Sequence, residues 1–372
     1  MRKERFTVTY RLSGNENDCK ERAKGILLEQ TVELPDHLVP NGFIRDEVIG
    51  QIEFFSQIDE LTWDYTISYL ADSSAFELTQ LLNIIFGNSS IKEKIRVEDI
   101  SLGPELSEHF NGPRLGIAGM RDIVGVYDKP LICSALKPMG FSAEQLADLA
   151  YKFAIGGIDF IKDDHGLSNQ PFCKFEERVK ACVEAVNRAN EKTGKRCVYA
   201  PNVTASITDT VSRIRFAKKE GAGAVLMMPG LAGFDTMRSL ADMDEIALPI
   251  ISHPALLGPM VTCSNNGFSH RTIFGKLQRL AGADSSVYPN YGGRFGFSKG
   301  ECQSIDHGCK ETMGNLKSIF PSPGGGMSMD RVPEMLKVYG NDVMFLIGGD
   351  LFNRSSDLTD NARCFLSLVG RD

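Results

Sequence analysis

The residues best placed to do chemistry close an apolar run, Gly156-Gly157-Ile158-Asp159-Phe160-Ile161-Lys162-Asp163-Asp164-His165. A short buried strand that ends in charged residues suits a parallel barrel, where chemistry sits at the C-terminal strand ends. Lysines and aspartates are costly to bury unless they pair or hold a metal. Strand alternation puts Lys162 and Asp164 on one face, and Asp164 and His165 set an oxygen donor beside an imidazole donor. For an arbitrary Lys-Asp-Asp a solvated turn is the ordinary reading. The pattern around this one argues against it.

Other strand ends carry reactive types. Lys137 stands in Ala135-Leu136-Lys137-Pro138-Met139-Gly140. A lysine at a strand end can snorkel to solvent. Beside a divalent cation and a second lysine its pKa falls, and it can act as a base near neutral pH. His253, in Ile251-Ser252-His253-Pro254-Ala255, is either structural or a proton donor and binder of substrate oxygens. Gly324-Gly325-Gly326 and Gly348-Gly349 follow the last two strands. Backbone N–H groups of those two loops form the usual phosphate site of a barrel, so Gly325, Gly326, Gly348 and Gly349 are candidate substrate-binding residues. Gly292, Gly293 and Gly296 suit a lid over 289–300, which also carries Arg294.

These side chains need a scaffold, and the chain divides in two. Residues 1–125 mix strands and helices: Phe6–Leu12 alternates as an edge strand, Cys19–Glu29 has helical spacing, Val48–Phe54 and Leu61–Tyr69 read as strands, Ser74–Phe86 as a helix and Ile95–Ile100 as a strand. This fits an α+β ferredoxin-like domain. Gly103–Gly119, rich in glycine and proline, reads as the connection. Residues 126–372 repeat a βα pattern. Strands are expected at Leu131–Lys137, Ile158–Lys162, Arg196–Ala200, Ala224–Met228, Pro249–His253, Ser285–Tyr288, about 318–321, and Val343–Ile347. Helices are expected at Phe175–Thr193, closed by Gly194, around Ile214–Glu220, at Ser269–Ala281, near Arg331–Tyr339 and at Ser356–Val369, and another opens on a capping box at Ser142 and Gln145. Eight such units make an α/β chain with a C-terminal (β/α)8 TIM barrel.

Bulk composition narrows the function classes. A net charge of −7, spread along the chain, leaves no basic footprint for nucleic acid or an anionic membrane. No apolar run is long enough to span a bilayer, and the N-terminus has no signal-peptide core. The nine cysteines are odd in number and scattered, which reads as reduced thiols in a cytoplasmic protein.

The run 156–165 closely resembles the metal-binding strand of the Rubisco superfamily, Gly-Gly-x-Asp-x-x-Lys-Asp-Asp-Glu. The resemblance implies that CO2 carbamylates Lys162 and that the carbamate, Asp164 and His165 bind Mg2+, with His165 replacing the glutamate. Lys137 matches the first lysine of the family's Lys-Pro-Lys, which moves protons during enolisation; Met139 replaces the second. His253 matches a family His-Arg, but Pro254 stands where the arginine would grip a phosphate. Phe274-Gly275-Lys276-Leu277 imitates the mobile-loop Gly-Lys-Leu. However, Arg279-Leu280-Ala281-Gly282-Ala283-Asp284 matches the Arg-Leu-Ser-Gly-Gly-Asp that precedes strand six, so the mobile loop is Pro289–Gly300 and Arg294 falls near its lysine. Val287 takes the place of a phosphate-binding histidine. In the N-terminal domain, Ile84 precedes Ile85-Phe86-Gly87 where carboxylating members carry asparagine, and Thr31-Val32-Glu33-Leu34 lacks their Thr-Trp.

These changes argue against ribulose bisphosphate carboxylation and place the chain with form IV, the Rubisco-like proteins. The resemblance implies an enediolate formed from a small phosphorylated substrate, and a homodimer in which one N-terminal domain closes the neighbour's barrel. His165 leaves the metal one negative charge short, which a substrate carboxylate would restore. On that ground the expected reaction is decarboxylation of 3-oxo-isoapionate 4-phosphate, a carboxy-lyase reaction. The alternatives are 5-methylthioribulose-1-phosphate isomerase and 2,3-diketo-5-methylthiopentyl-1-phosphate enolase, and then a non-catalytic scaffold. Retention of Lys137, Lys162, Asp164 and both glycine runs speaks against the scaffold.

Overall fold

A computed structural model describes residues 3–371. The N-terminal part runs β1 (Arg5–Ser13), a helix (Glu16–Glu29), β2 (Gln51–Asp59), β3 (Thr62–Leu70), a helix (Leu78–Phe86) and β4 (Ile95–Ser101). The strands order as β4-β1-β3-β2, all antiparallel, which is the ferredoxin-like arrangement. Alternation in β1 buries Phe6, Val8, Tyr10 and Leu12. The expected edge position is corrected: Val8 lies opposite both Ile67 and Ile100, so β1 is central. Alternation reports one buried face; it says nothing about lateral neighbours.

The expected connection also holds structure. Helices Pro104–Glu108 and Gly116–Val124 occupy it, the first started by a proline in its opening turn. Asp284 clamps this segment to the barrel. Its buried carboxylate accepts from Leu115 N–H (2.7 Å), Gly116 N–H (2.8 Å) and Ile250 N–H (3.0 Å).

The barrel strands are β5 (Leu131–Leu136), β6 (Phe160–Asp163), β7 (Val198–Ala200), β8 (Val225–Met227), β9 (Ile250–Ser252) and, beyond a two-residue β10 (Gly267–Phe268), β11 (Ser285–Pro289), β12 (Phe320–Gly324) and β13 (Met344–Ile347). Parallel ladders join β13-β5-β6-β7 and β8-β9-β11-β12. An Asn202–Leu226 bridge closes one seam, and Ser322 Oγ donating to Met344 O (2.8 Å) ties the other. Inward residues of every strand, among them Leu131, Phe160, Leu226, Ile251, Val287 and Phe320, fill the interior. β10 leaves the barrel and pairs in parallel with β4, so one sheet spans both parts of the chain.

The helix Phe175–Thr193 ends at Gly194 with φ +69°, and the capping box at Ser142 and Gln145 forms as the sequence predicts. The helix expected over 269–281 carries a π-turn at Thr272–Lys276. Helices Phe234–Asp242 and Lys299–Lys310 were not foreseen. Lys299–Lys310 is mostly polar, with two glycines and no clean apolar stripe, and the one signal it offered is its Ser298–Glu301 capping box. It also shortens the expected lid, whose last residues, Lys299 and Gly300, open the helix.

Asp284→Ala would strand three buried N–H groups. Each such loss costs about 1–3 kcal/mol, so denaturant unfolding should show a destabilisation of at least ~3 kcal/mol.

Candidate active site

The C-terminal ends of the barrel strands surround a cavity of about 970 Å3. Lys137, Lys162, Asp164, His165, His253, Arg294, Gly325, Gly326, Gly348 and Gly349 all line it. Residues spread over two hundred positions of sequence therefore meet at one place.

Lys162 is the floor. It is buried, and its Nζ donates to Asp163 O (3.0 Å). Burial pushes its pKa down against the pull of nearby anions, which favours the neutral amine. Asp164 lies above it. Burial raises this carboxyl, but the hydrogen bond from His165 and the charges of Lys137 and Lys162 outweigh that and hold it below the usual carboxylate range. Lys137 Nζ lies 3.3 Å from Asp164 Oδ1. Met139, in place of the second lysine, is exposed and its methyl group lies over Gly166.

Asp163, adjacent to the candidate ligand, points the other way. It is fully buried and accepts from Arg178 Nε (3.1 Å), Tyr199 OH (2.7 Å) and Asn202 N–H (2.9 Å). Arg178 also donates to Ser168 O (2.7 Å), and Asn202 Nδ2 donates to His165 O (3.2 Å) and Leu167 O (2.8 Å). This network fixes the backbone that carries Asp164 and His165. Sequence reading missed Arg178, Tyr199 and Asn202. The available signal was strand alternation, which sends Asp163 away from the face shared by Lys162 and Asp164.

His165 is half-exposed, and its Nδ1 faces Asp164 Oδ2 at 3.5 Å. Its ring stacks on His253, with centroids 4.7 Å apart and planes at 17°. Ala255 N–H donates to His253 Nδ1 (3.2 Å), so the neutral ring carries its proton on Nε2. Burial first, then the charges of Lys162 and His165, keep His253 well below the ordinary imidazole range.

Across the cavity, a Cβ on Gly348 would lie 3.8 Å from Lys137 Nζ. Lys137 thus sits between Asp164 and the glycine loops. Gly325 and Gly326 have φ of +68° and +125°, and Gly326 meets Gly293 of the lid backbone to backbone. These glycines therefore let two loops touch, whatever else they bind. Arg294 is exposed over the Phe295 ring (4.9 Å), and Phe295 in turn reaches Gly325.

Among the described residues, no group of three His, Cys, Asp or Glu side chains is placed to hold a metal. Asp164 and His165 provide one carboxylate and one imidazole. A carbamate on the buried, neutral Lys162 would supply the third donor and a negative charge, so the donor set fits a hard divalent cation once Lys162 is modified.

Removing one side of the Asp163–Arg178 pair should be severe. Arg178→Met leaves a buried unpaired carboxylate, with an expected loss of about 3–5 kcal/mol by denaturant unfolding.

Comparison with known proteins follows the same outline. Residues 116–357 match the model of the ribulose bisphosphate carboxylase large chain, catalytic domain. Ribulose bisphosphate carboxylase-like protein 1 of Rhodopseudomonas palustris is 37% identical over 98% of both chains. The 5-methylthioribulose-1-phosphate isomerase of Rhodospirillum rubrum is 36% identical, over 98% of this chain and 96% of its own. The 2,3-diketo-5-methylthiopentyl-1-phosphate enolase of Bacillus pumilus is 33% identical over 82% and 75%. A crystal structure of the Rubisco-like protein from Rhodopseudomonas palustris superposes with a TM-score of 0.89 at 35% identity, covering 98% and 97%. The dimeric archaeal Rubisco of Hyperthermus butylicus gives 0.88 at 26%, covering 99% and 90%. With strand-end chemistry, barrel and matched span in agreement, the chain belongs to the ribulose bisphosphate carboxylase large-chain family, as one of its Rubisco-like proteins.

Proposed function

We propose that the cavity binds a five-carbon ketose monophosphate and isomerises it by moving a proton through an enediolate. The observation that carries this reading is the position of Lys137, 3.3 Å from Asp164 on one side and beside Gly348 on the other. A substrate whose phosphate meets the backbone N–H groups of Gly325, Gly326, Gly348 and Gly349 would lay its carbonyl end toward Asp164. The carbon between them then lies against Lys137, which takes its proton. Asp164 holds the lysine that results. His253, with its proton on Nε2, donates to a substrate oxygen, and Arg294 with the lid keeps water out. Bound by the Lys162 carbamate, Asp164 and His165, Mg2+ would stabilise negative charge on the substrate oxygens.

The relatives favour this chemistry over the decarboxylation expected from His165. Those named for a reaction are an isomerase and an enolase of methylthio-ketose phosphates. An imidazole bonded to Asp164 and stacked on His253 also suits proton handling, so the missing third anion need not be supplied by a substrate carboxylate. The enolase is the second reading, resting on the Bacillus pumilus relative.

NMR in D2O decides among them. The wild type should exchange the proton next to the carbonyl of 5-methylthioribulose 1-phosphate and release a ketose isomer. Lys137→Ala should slow exchange about 10²–10⁴-fold. Release of CO2 from a β-ketoacid phosphate, with no exchange of the ketose, would restore the decarboxylase.

We also propose a homodimer that completes the site. β2 and its turn expose Phe54, Phe55, Ile58 and Leu61, an apolar patch that a monomer would leave in water. Light scattering should give twice the chain mass, and Phe54→Lys with Ile58→Lys should shift it toward the monomer with loss of activity. A fully active monomer would refute the dimer.

A further inference from the structure

Leu256 holds a backbone conformation that leucine disfavours. Leu257 N–H donates to Pro254 O (3.0 Å), closing a four-residue turn, and Leu256 at its third position has φ +67°. That left-handed position ordinarily goes to glycine or asparagine, because a Cβ crowds the backbone there. The turn is fixed from below. Leu257 is fully buried, and Gly230 packs so closely that a Cβ on it would meet Ala255 O at 2.5 Å and Leu257 Cδ2 at 3.0 Å. Leu256 itself is 61% exposed and lines the cavity. A residue that is neither buried nor relaxed does nothing for the fold that glycine would not do better. Strain held at a cavity wall points to use.

Its surroundings indicate that use. Pro254 and Val287 line the same cavity and bring no charge or hydrogen-bond donor. Val261 and Phe297 line it too. Arg96, a cation that also lines it, is committed to Glu98 (3.3 Å) and to Ser264 O (2.9 Å). The phosphate loops and Lys137 occupy the opposite strands, so a monophosphate anchored there directs its other end toward this wall.

We propose that Leu256 is the specificity-determining contact for the unphosphorylated end of the substrate, and that this end is apolar, a thioether or alkyl terminus. The inference rests on the ketose-monophosphate reading above. A hydroxyl or second phosphate at that end would lose its hydration against Leu256, Pro254 and Val287 with nothing to replace it.

The test uses pentitol 1-phosphates, which lack the carbonyl and cannot turn over, carrying methylthio, hydroxyl or phosphate at C5. Calorimetric titration of the wild type with Mg2+ and bicarbonate should show the methylthio compound binding about tenfold or more tighter than the hydroxyl compound, the scale of a lost apolar contact, and the bisphosphate weakest. Leu256→Ala and Leu256→Gly should erase the preference for methylthio over hydroxyl and leave the affinity for the hydroxyl compound unchanged. Leu256→Gly should also unfold at the same or a higher temperature, since it relieves the turn. Equal binding of all three by the wild type, or an undiminished preference in both variants, overturns the assignment of Leu256 while the monophosphate reading stands. A lower unfolding temperature or an altered oligomer mass for Leu256→Gly overturns it as well, by showing that leucine is kept for packing or assembly. If none of the three binds the wild type, the monophosphate reading falls and Leu256 with it.

Discussion

The buried carboxylate of Asp163 is the interaction on which the rest of the site depends. It joins β6, β7 and the helix Phe175–Thr193 through Tyr199, Asn202 and Arg178. A buried charge is tolerable only when it is paired and fully hydrogen-bonded. Here the pairing has a directional result, because the groups that satisfy Asp163 also bind the carbonyls of His165, Leu167 and Ser168. The backbone after β6 is therefore held from beneath, and Asp164 and His165 face the cavity as a consequence.

The site divides into halves built by different means. Around Lys162, Asp164, His165 and His253 the work is done by side chains whose protonation is set by burial and by one another. Around Gly324–Gly326 and Gly348–Gly349 it is done by backbone, and the lid touches that backbone where Gly293 meets Gly326. Lys137 spans the two halves. A proton-transfer base placed there needs no motion of the barrel, only closure of the lid over it.

Family likeness and functional difference sit on different layers of the molecule. The inward apolar residues, the seams between strands and the clamp at Asp284 keep the architecture shared with Rubisco. The departures, His165, Met139, Pro254 and Val287, all lie at the cavity or beside it. Substituting a strand-end residue changes what the cavity binds without disturbing the ladder beneath it, so one barrel can carry several chemistries.

Much of the architecture was legible in the sequence because its signals are local. Capping at Ser142, the stop at Gly194 and the apolar runs that become barrel strands depend on residues within a few positions of one another. The set of cavity residues was legible too, since chemistry at strand ends in a barrel must converge. What stayed hidden depends on neighbours remote in the chain. The central place of β1 is decided by β3 and β4, and the addition of β10 to β4 by the docking of one part of the chain on the other. The anchoring role of Asp163 needs Arg178, Tyr199 and Asn202 in place, and the strain at Leu256 needs Gly230 beneath its turn. Sequence by itself determined which residue types stand at the strand ends. Only the tertiary structure decided which of them face the cavity and which hold the others there, because burial and pairing are properties of surroundings that sequence neighbours do not supply.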